Sequence, residues 1–140
     1  MKLFIYIKQI SKHMSSLGMT KYYEATMKKI SIGKYLENMV GKSPANMKDP
    51  HAHHILFKKG RGAAQQQLVK EGQDILRKYG IDPILGLENL VWAPNRVAGQ
   101  HDFNAIKHVV DELKIIDGAG LGYKKIVEQL EDLGRLASER

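Results

Sequence analysis

The sequence predicts an α+β fold, mostly helical, with a small hairpin-plus-helix centre surrounded by N-terminal, inserted and C-terminal helices. Three observations carry that expectation. Apolar residues recur every three or four positions along most of the chain, the pattern of amphipathic helices. Two short β-prone runs, Ile55-Leu56-Phe57 and Glu88 to Pro94, interrupt that pattern. Directly before the first run, in Pro50-His51-Ala52-His53-His54-Ile55, stand three of the six histidines within four positions.

The totals bound the possibilities. At 140 residues, 43% hydrophobic and 26% charged, the chain is one domain with material for a core. Cysteine is absent, which excludes disulfides and thiolate metal sites, so any metal must use His, Asn, Asp, Glu or water. The apolar run Leu3 to Ile7 is closed by Lys8 and is too short for a signal peptide or a membrane span. No membrane insertion is therefore expected, and export would need a dedicated system. The net charge of +7 is uneven: residues 1–80 carry 15 Lys/Arg against 5 Asp/Glu, and residues 81–140 carry 7 against 10. A basic first half suits a polyanionic partner such as nucleic acid, beside the plainer reading of a solvated lysine-rich surface.

In chain order, residues 1–49 read as a helical extension. Phe4, Ile7, Ile10, Met14 and Leu17 share one face until Gly18. Thr20 can cap a second helix carrying Tyr23, Met27 and Ile30. Gly33 is expected to bend the chain before Tyr35, Leu36, Met39 and Val40, and Gly41 to Pro44 end the helix. The histidine cluster then leads into Ile55-Leu56-Phe57, read as a short buried strand. Lys58, Lys59 and Arg61 sit among glycines in the following loop, where they can hold a phosphate backbone. Leu68, Gly72, Ile75, Leu76 and Tyr79 form the stripe of a helix over 63–79, closed by Gly80.

The second strand is expected over Glu88 to Pro94, followed by a loop, Asn95 to Gln100. His101 or Asp102 then opens a helix with Phe103, Ile106, Val110 and Leu113 on one face. His108 lies two helical turns, about 10 Å, beyond His101, too far to share one ion, and is read as a surface residue. Gly118 to Gly122 follows no strand and lacks the Lys-Ser/Thr of a phosphate loop, so it reads as an interhelical turn. The last helix carries Tyr123, Ile126, Val127, Leu130 and Leu133 as one stripe.

Adjacent histidines offer chemistry, because neutral imidazole binds divalent metals and accepts a proton from water. Hydrolysing a phosphodiester needs a base, a cation and a held substrate, and one divalent ion with one histidine supplies the first two. Alternate strand residues share a face, so His51 and His53 can also share a metal and leave His54 facing away.

The ordered set His53-His54-Ile55, Asn89-Leu90-Val91-Trp92-Ala93-Pro94-Asn95 and Gly99-Gln100-His101 resembles the HNH/endonuclease VII superfamily of ββα-metal nucleases. Within it, Ala52-His53-His54 is similar to the AHH clade, found in C-terminal domains of bacterial polymorphic toxins. The resemblance covers residues 50–115 and implies a nuclease core there, with 116–140 as a C-terminal helix. It makes His53 and His101 metal ligands, His54 the general base, and Asn89 the brace of the loop holding the base. Asn95 becomes a further ligand or a phosphate-orienting residue, Arg96 a contact to the scissile phosphate, and Gln100 a support for the helix start.

The implied cofactor is a divalent cation, with Mg²⁺ the working ion by abundance and Zn²⁺, Mn²⁺ or Ni²⁺ also suited to imidazole. The implied substrate is DNA ahead of RNA. A toxin of this kind is bacterial, acts in the cytoplasm of a target cell, and has a cognate immunity protein as partner. Two other classes fit less of the sequence. A nucleic-acid-binding protein with a structural metal would need four protein ligands, and only His51, His53, His101 and Asp102 are spaced to offer them. A helical interaction module explains the outer helices and leaves the histidine cluster unexplained.

Overall fold

The structure is a computed structural model that describes residues 31–140. The helices expected over 1–30 lie outside the described residues. Helix α1 spans Ile32–Val40, strand β1 Pro50–His54, helix α2 Gly62–Lys78, strand β2 Leu90–Pro94, helix α3 Phe103–Gly118 and helix α4 Gly122–Ser138. A single 3-10 turn, Leu87–Asn89, precedes β2. The mostly helical α+β class read from the sequence is the class observed. Among the described residues no helix is long and apolar enough to cross a membrane.

The two strands form an antiparallel hairpin, in register from Pro50↔Pro94 to His54↔Leu90. Paired residues of an antiparallel ladder point the same way. His51, His53, Val91 and Ala93 therefore face one side, and Ala52, His54, Leu90 and Trp92 face the other. On the first side, α2, α3 and α4 meet in a core that includes Leu56, Leu76, Ile106, Val110, Leu113, Ile126 and Leu130, all fully buried. On the second side, Tyr35 and Leu36 of α1 pack with Ile84, Leu85 and Leu90, and Ala52 and Trp92 lie against them. The Tyr35 hydroxyl donates to Leu85 O at 2.6 Å and fixes α1 there.

The first strand is shifted from its expected place. It is built from the histidines themselves, and Ile55-Leu56-Phe57 are buried but leave the ladder. Asn89 explains the break. Its carbonyl O accepts from Ile55 N at 2.9 Å, and its side chain takes both backbone groups of Leu56. Side-chain hydrogen bonds replace the strand partner that this apolar run would otherwise need. The second strand starts at Leu90 rather than Glu88, because Asn89 N turns back to Gly86 O at 3.0 Å.

The helices follow their stripes with small departures. Gly33 lies within the first turn of α1, which Ser31 caps by accepting from Lys34 N, so no bend occurs there. In α2, Gly72 is required by packing, since a Cβ would stand 2.5 Å from Leu56 Cδ1. Gly80, at φ 74°, ends α2 with Ile81 N reaching back to Leu76 O. Asp102 caps α3 by accepting from Ala105 N at 2.9 Å. Phe103, expected on the buried stripe, is 43% exposed, because the core contacts of α3 begin further in, at Ala105 and Ile106. Tyr123 is likewise exposed and donates to Glu88 Oε2 at 3.1 Å. Gly118 to Gly122 makes the expected turn, with Gly120 and Gly122 at positive φ. α4 lies close on the hairpin, where a Cβ on Gly134 would come within 2.9 Å of Ile55 Cδ1.

Candidate metal centre

Three imidazoles meet at the hairpin. The ring centroids of His51 and His53 stand 5.4 Å apart, those of His53 and His101 5.8 Å, and those of His51 and His101 6.3 Å. The strand supplies the first two on one face, and the residue just before the α3 cap supplies the third. Phe57 stands edge-on to His101 with centroids 5.7 Å apart. Gln65 of α2 donates to His101 O at 3.4 Å and accepts from Arg61 N at 2.9 Å, which ties the start of α2 to the third histidine. The trio lines a pocket of about 310 Å³ that also takes in His54, Lys58, Lys59, Arg61 and Gln65.

Hydrogen bonding sets the ring orientation of two of the histidines in the pocket. His51 Nδ1 lies 2.9 Å from Ala93 O. A carbonyl only accepts, so Nδ1 carries the proton and Nε2 keeps the lone pair. A backbone carbonyl holding the other ring nitrogen is a common arrangement for a metal-binding histidine. By the same argument His54 Nε2 donates to Ile84 O at 3.0 Å, which leaves Nδ1 as its basic atom.

Burial disfavours the charged form of His53, His54 and His101. Desolvation, then the neighbouring His51 and His101, lowers His53 from 6.5 to about 3. Desolvation lowers His54 to about 4 against the opposing bond to Ile84 O. His101 is lowered by desolvation, then by His51 and Arg61. Neutral imidazole is the metal-binding form.

The donor set fits a divalent cation, and the spacing is nearly closed. Three imidazoles bound at about 2 Å place their centroids about 5 Å apart. The observed separations of 5.4, 5.8 and 6.3 Å are all wider than that, and among the described residues no group of three His, Cys, Asp or Glu stands close enough to hold a metal ion as the rings now lie.

The remaining expected residues divide into two groups. Asn89 is fully buried and bonds Leu56 N at 2.7 Å, Leu56 O at 3.0 Å and Pro83 O at 2.8 Å. It joins the segment after β1 to the segment before β2, so it is a positioning residue and does not reach the pocket. Lys58, Lys59 and Arg61 are exposed along the pocket rim.

Asn95 and Arg96 are not brought to the histidines. Both line a separate pocket of about 910 Å³ with Lys48, Asp49 and Glu139. Asn95 N bonds Asp49 O, which extends the hairpin by one rung, and its side chain accepts from Arg96 N at 3.0 Å. Arg96, at φ 59°, turns outward, and its Nε stands 3.5 Å from Asp49 Oδ2. The expected metal role of Asn95 and phosphate role of Arg96 thus lack the placement they need. His108 is exposed, as expected.

Sequence reasoning left His51 open and missed Gln65 and Arg140. The alternation of strand residues carries the signal for His51. Nothing local points to Arg140, whose guanidinium acts on both His53 and His101 from the far end of α4. No protein-family model, curated protein or solved structure matches the chain.

Proposed function

We propose that this chain is a divalent-metal-dependent nuclease of the HNH/endonuclease VII type, AHH-like, acting on DNA ahead of RNA as an antibacterial toxin domain. The observation that carries the reading is the trio His51, His53 and His101 in a pocket rimmed by Lys58, Lys59 and Arg61. His51, His53 and His101 would hold a divalent cation, which would supply Lewis-acid stabilisation of developing charge. His51, fixed by Ala93 O, joins His53 and His101 as a third donor.

His54 lies on the other strand face but reaches the same pocket. Its Nδ1 is the proton acceptor for an attacking water. At about 4 its pKa leaves it neutral and vacant near pH 7, though a weak base. A phosphate entering beside Lys58 raises that pKa, because a nearby anion favours the protonated ring. The rim cations hold the flanking backbone in place.

Three protein donors favour catalysis over a purely structural metal, since structural sites fill four positions with protein ligands and catalytic sites leave one open. The toxin setting and a cognate immunity protein rest on the resemblance alone. Incubation of the purified chain with plasmid DNA and with total RNA, each with Mg²⁺, Mn²⁺ or EDTA, tests the reading. Metal-dependent cutting of either supports it and identifies the substrate; no cutting by folded, metal-supplied protein overturns it.

A further inference from the structure

Gln100 sits directly before His101, and its side chain is 3% exposed. Its Nε2 donates to Pro94 O at 2.7 Å. That bond settles which end of the amide is which, since the opposite orientation would set two oxygens against each other. Oε1 is then a buried acceptor, and among the described residues it has no hydrogen-bond partner. A buried acceptor without a partner in a folded protein calls for water or another donor.

Beside it lies a small cavity of about 70 Å³, lined among others by Gln100, His53, His108 and Arg140. His53 and Phe57 line both this cavity and the larger pocket, so His53 stands between the two. His51 has Ala93 O to hold its second nitrogen and His54 has Ile84 O. Among the described residues the His53 ring has no such partner. The cavity, whose lining includes the polar side chains of Gln100, His108 and Arg140, is large enough for an ordered water.

From this juxtaposition we infer that Gln100 is the positioning residue for His53: its Oε1 accepts, through a water in the cavity, the proton of the cavity-side ring nitrogen. The other nitrogen then presents its lone pair to His51 and His101. The proton stays on His53 throughout, and no bond is made or broken. Metal-binding histidines are held in this way by a hydrogen bond on the nitrogen away from the ion. The use of this arrangement rests on the metal reading of the trio, but the tautomer itself exists in the metal-free protein.

Long-range ¹⁵N–¹H spectra of metal-free protein labelled at histidine read the tautomer of each ring. Wild type is expected to show His53 in one tautomer; a His53 that exchanges between both in wild type overturns the inference without any variant. Gln100→Leu and Gln100→Glu both lose the bond to Pro94 O, and only Gln100→Glu keeps an acceptor. His53 should become a tautomer mixture in Gln100→Leu and remain single in Gln100→Glu, while His51 stays as in wild type in both. An unchanged His53 in folded Gln100→Leu overturns the inference. Zinc titration is the second readout, with affinity expected to fall roughly 10- to 100-fold in Gln100→Leu and to recover in Gln100→Glu. If the tautomer follows Gln100 while wild type cuts no nucleic acid, the positioning role stands and the nuclease reading falls.

Discussion

His51 and His53 share one face of β1 with ring centroids 5.4 Å apart, and His54, their neighbour in sequence, lies on the other face with its ring donated to Ile84 O. Under the proposed function, this relationship separates ligand from base. Two residues apart on a strand brings side chains together, and one residue apart sends them to opposite sides. Under the proposed function, both His51 and His53 hold the metal.

His51→Ala should weaken zinc or manganese binding to a similar degree as His53→Ala and His101→Ala, by at least tenfold in each case. Isothermal titration of the three variants checks this. A ligand pair of His53 and His101 alone would leave His51→Ala at wild-type affinity.

Asn89→Ala should destabilise the fold by roughly 3–5 kcal/mol, since it strips Leu56 N, Leu56 O and Pro83 O of their partner in a site with no water access. Urea unfolding measures it. A change within about 0.5 kcal/mol, the range of ordinary surface substitutions, would show that the segment after β1 is held by other contacts.

Burial holds His53 near 3 and His54 near 4 in the fold, against 6.5 for a free imidazole. Between these values the unfolded chain binds more protons than the folded one, so stability falls as pH falls. Metal-free protein should keep its full histidine contribution above about pH 6.5 and lose it progressively toward pH 4 and below. The upper part of that window lies above the carboxylate range, where Asp117, lowered by its bonds from Lys78 and Tyr79, does not titrate. Urea midpoints at about pH 7.5 and about pH 5 test the sign, and equal midpoints would refute it.

Alanine at Lys58, Lys59 or Arg61 should weaken nucleic-acid binding across all sequences. Each lost contact should flatten the salt dependence on duplex DNA by about 0.9 in log–log slope. Fluorescence anisotropy of metal-free protein over a salt series gives the slope. Unchanged slopes would remove these three residues from the interface.

Much of this was legible in the residues. Apolar spacing located α2 and the start of α3 to within a residue or two and the stripe of α4, and the second β-prone run located β2. The limits have physical causes. Ile55-Leu56-Phe57 has strand composition, but a single distant side chain, Asn89, took its backbone groups and moved the strand onto the histidines. Asn95 and Arg96 follow β2 closely in sequence, yet one further backbone bond, Asn95 N to Asp49 O, commits them to a separate pocket beyond the Pro50↔Pro94 end of the hairpin. Gln65 and Arg140 reach the centre from helices that carry no local sign of it, because only the packing of α2 and α4 brings them there.

The most direct test of the central claim compares wild type and His54→Ala for cleavage of plasmid DNA and total RNA, with metal affinity measured on the same preparations. The account predicts metal-dependent cleavage by wild type and a rate at least about 100-fold lower for His54→Ala, with metal binding retained. Cleavage by His54→Ala at the wild-type rate, or cleavage that persists in EDTA, would contradict it.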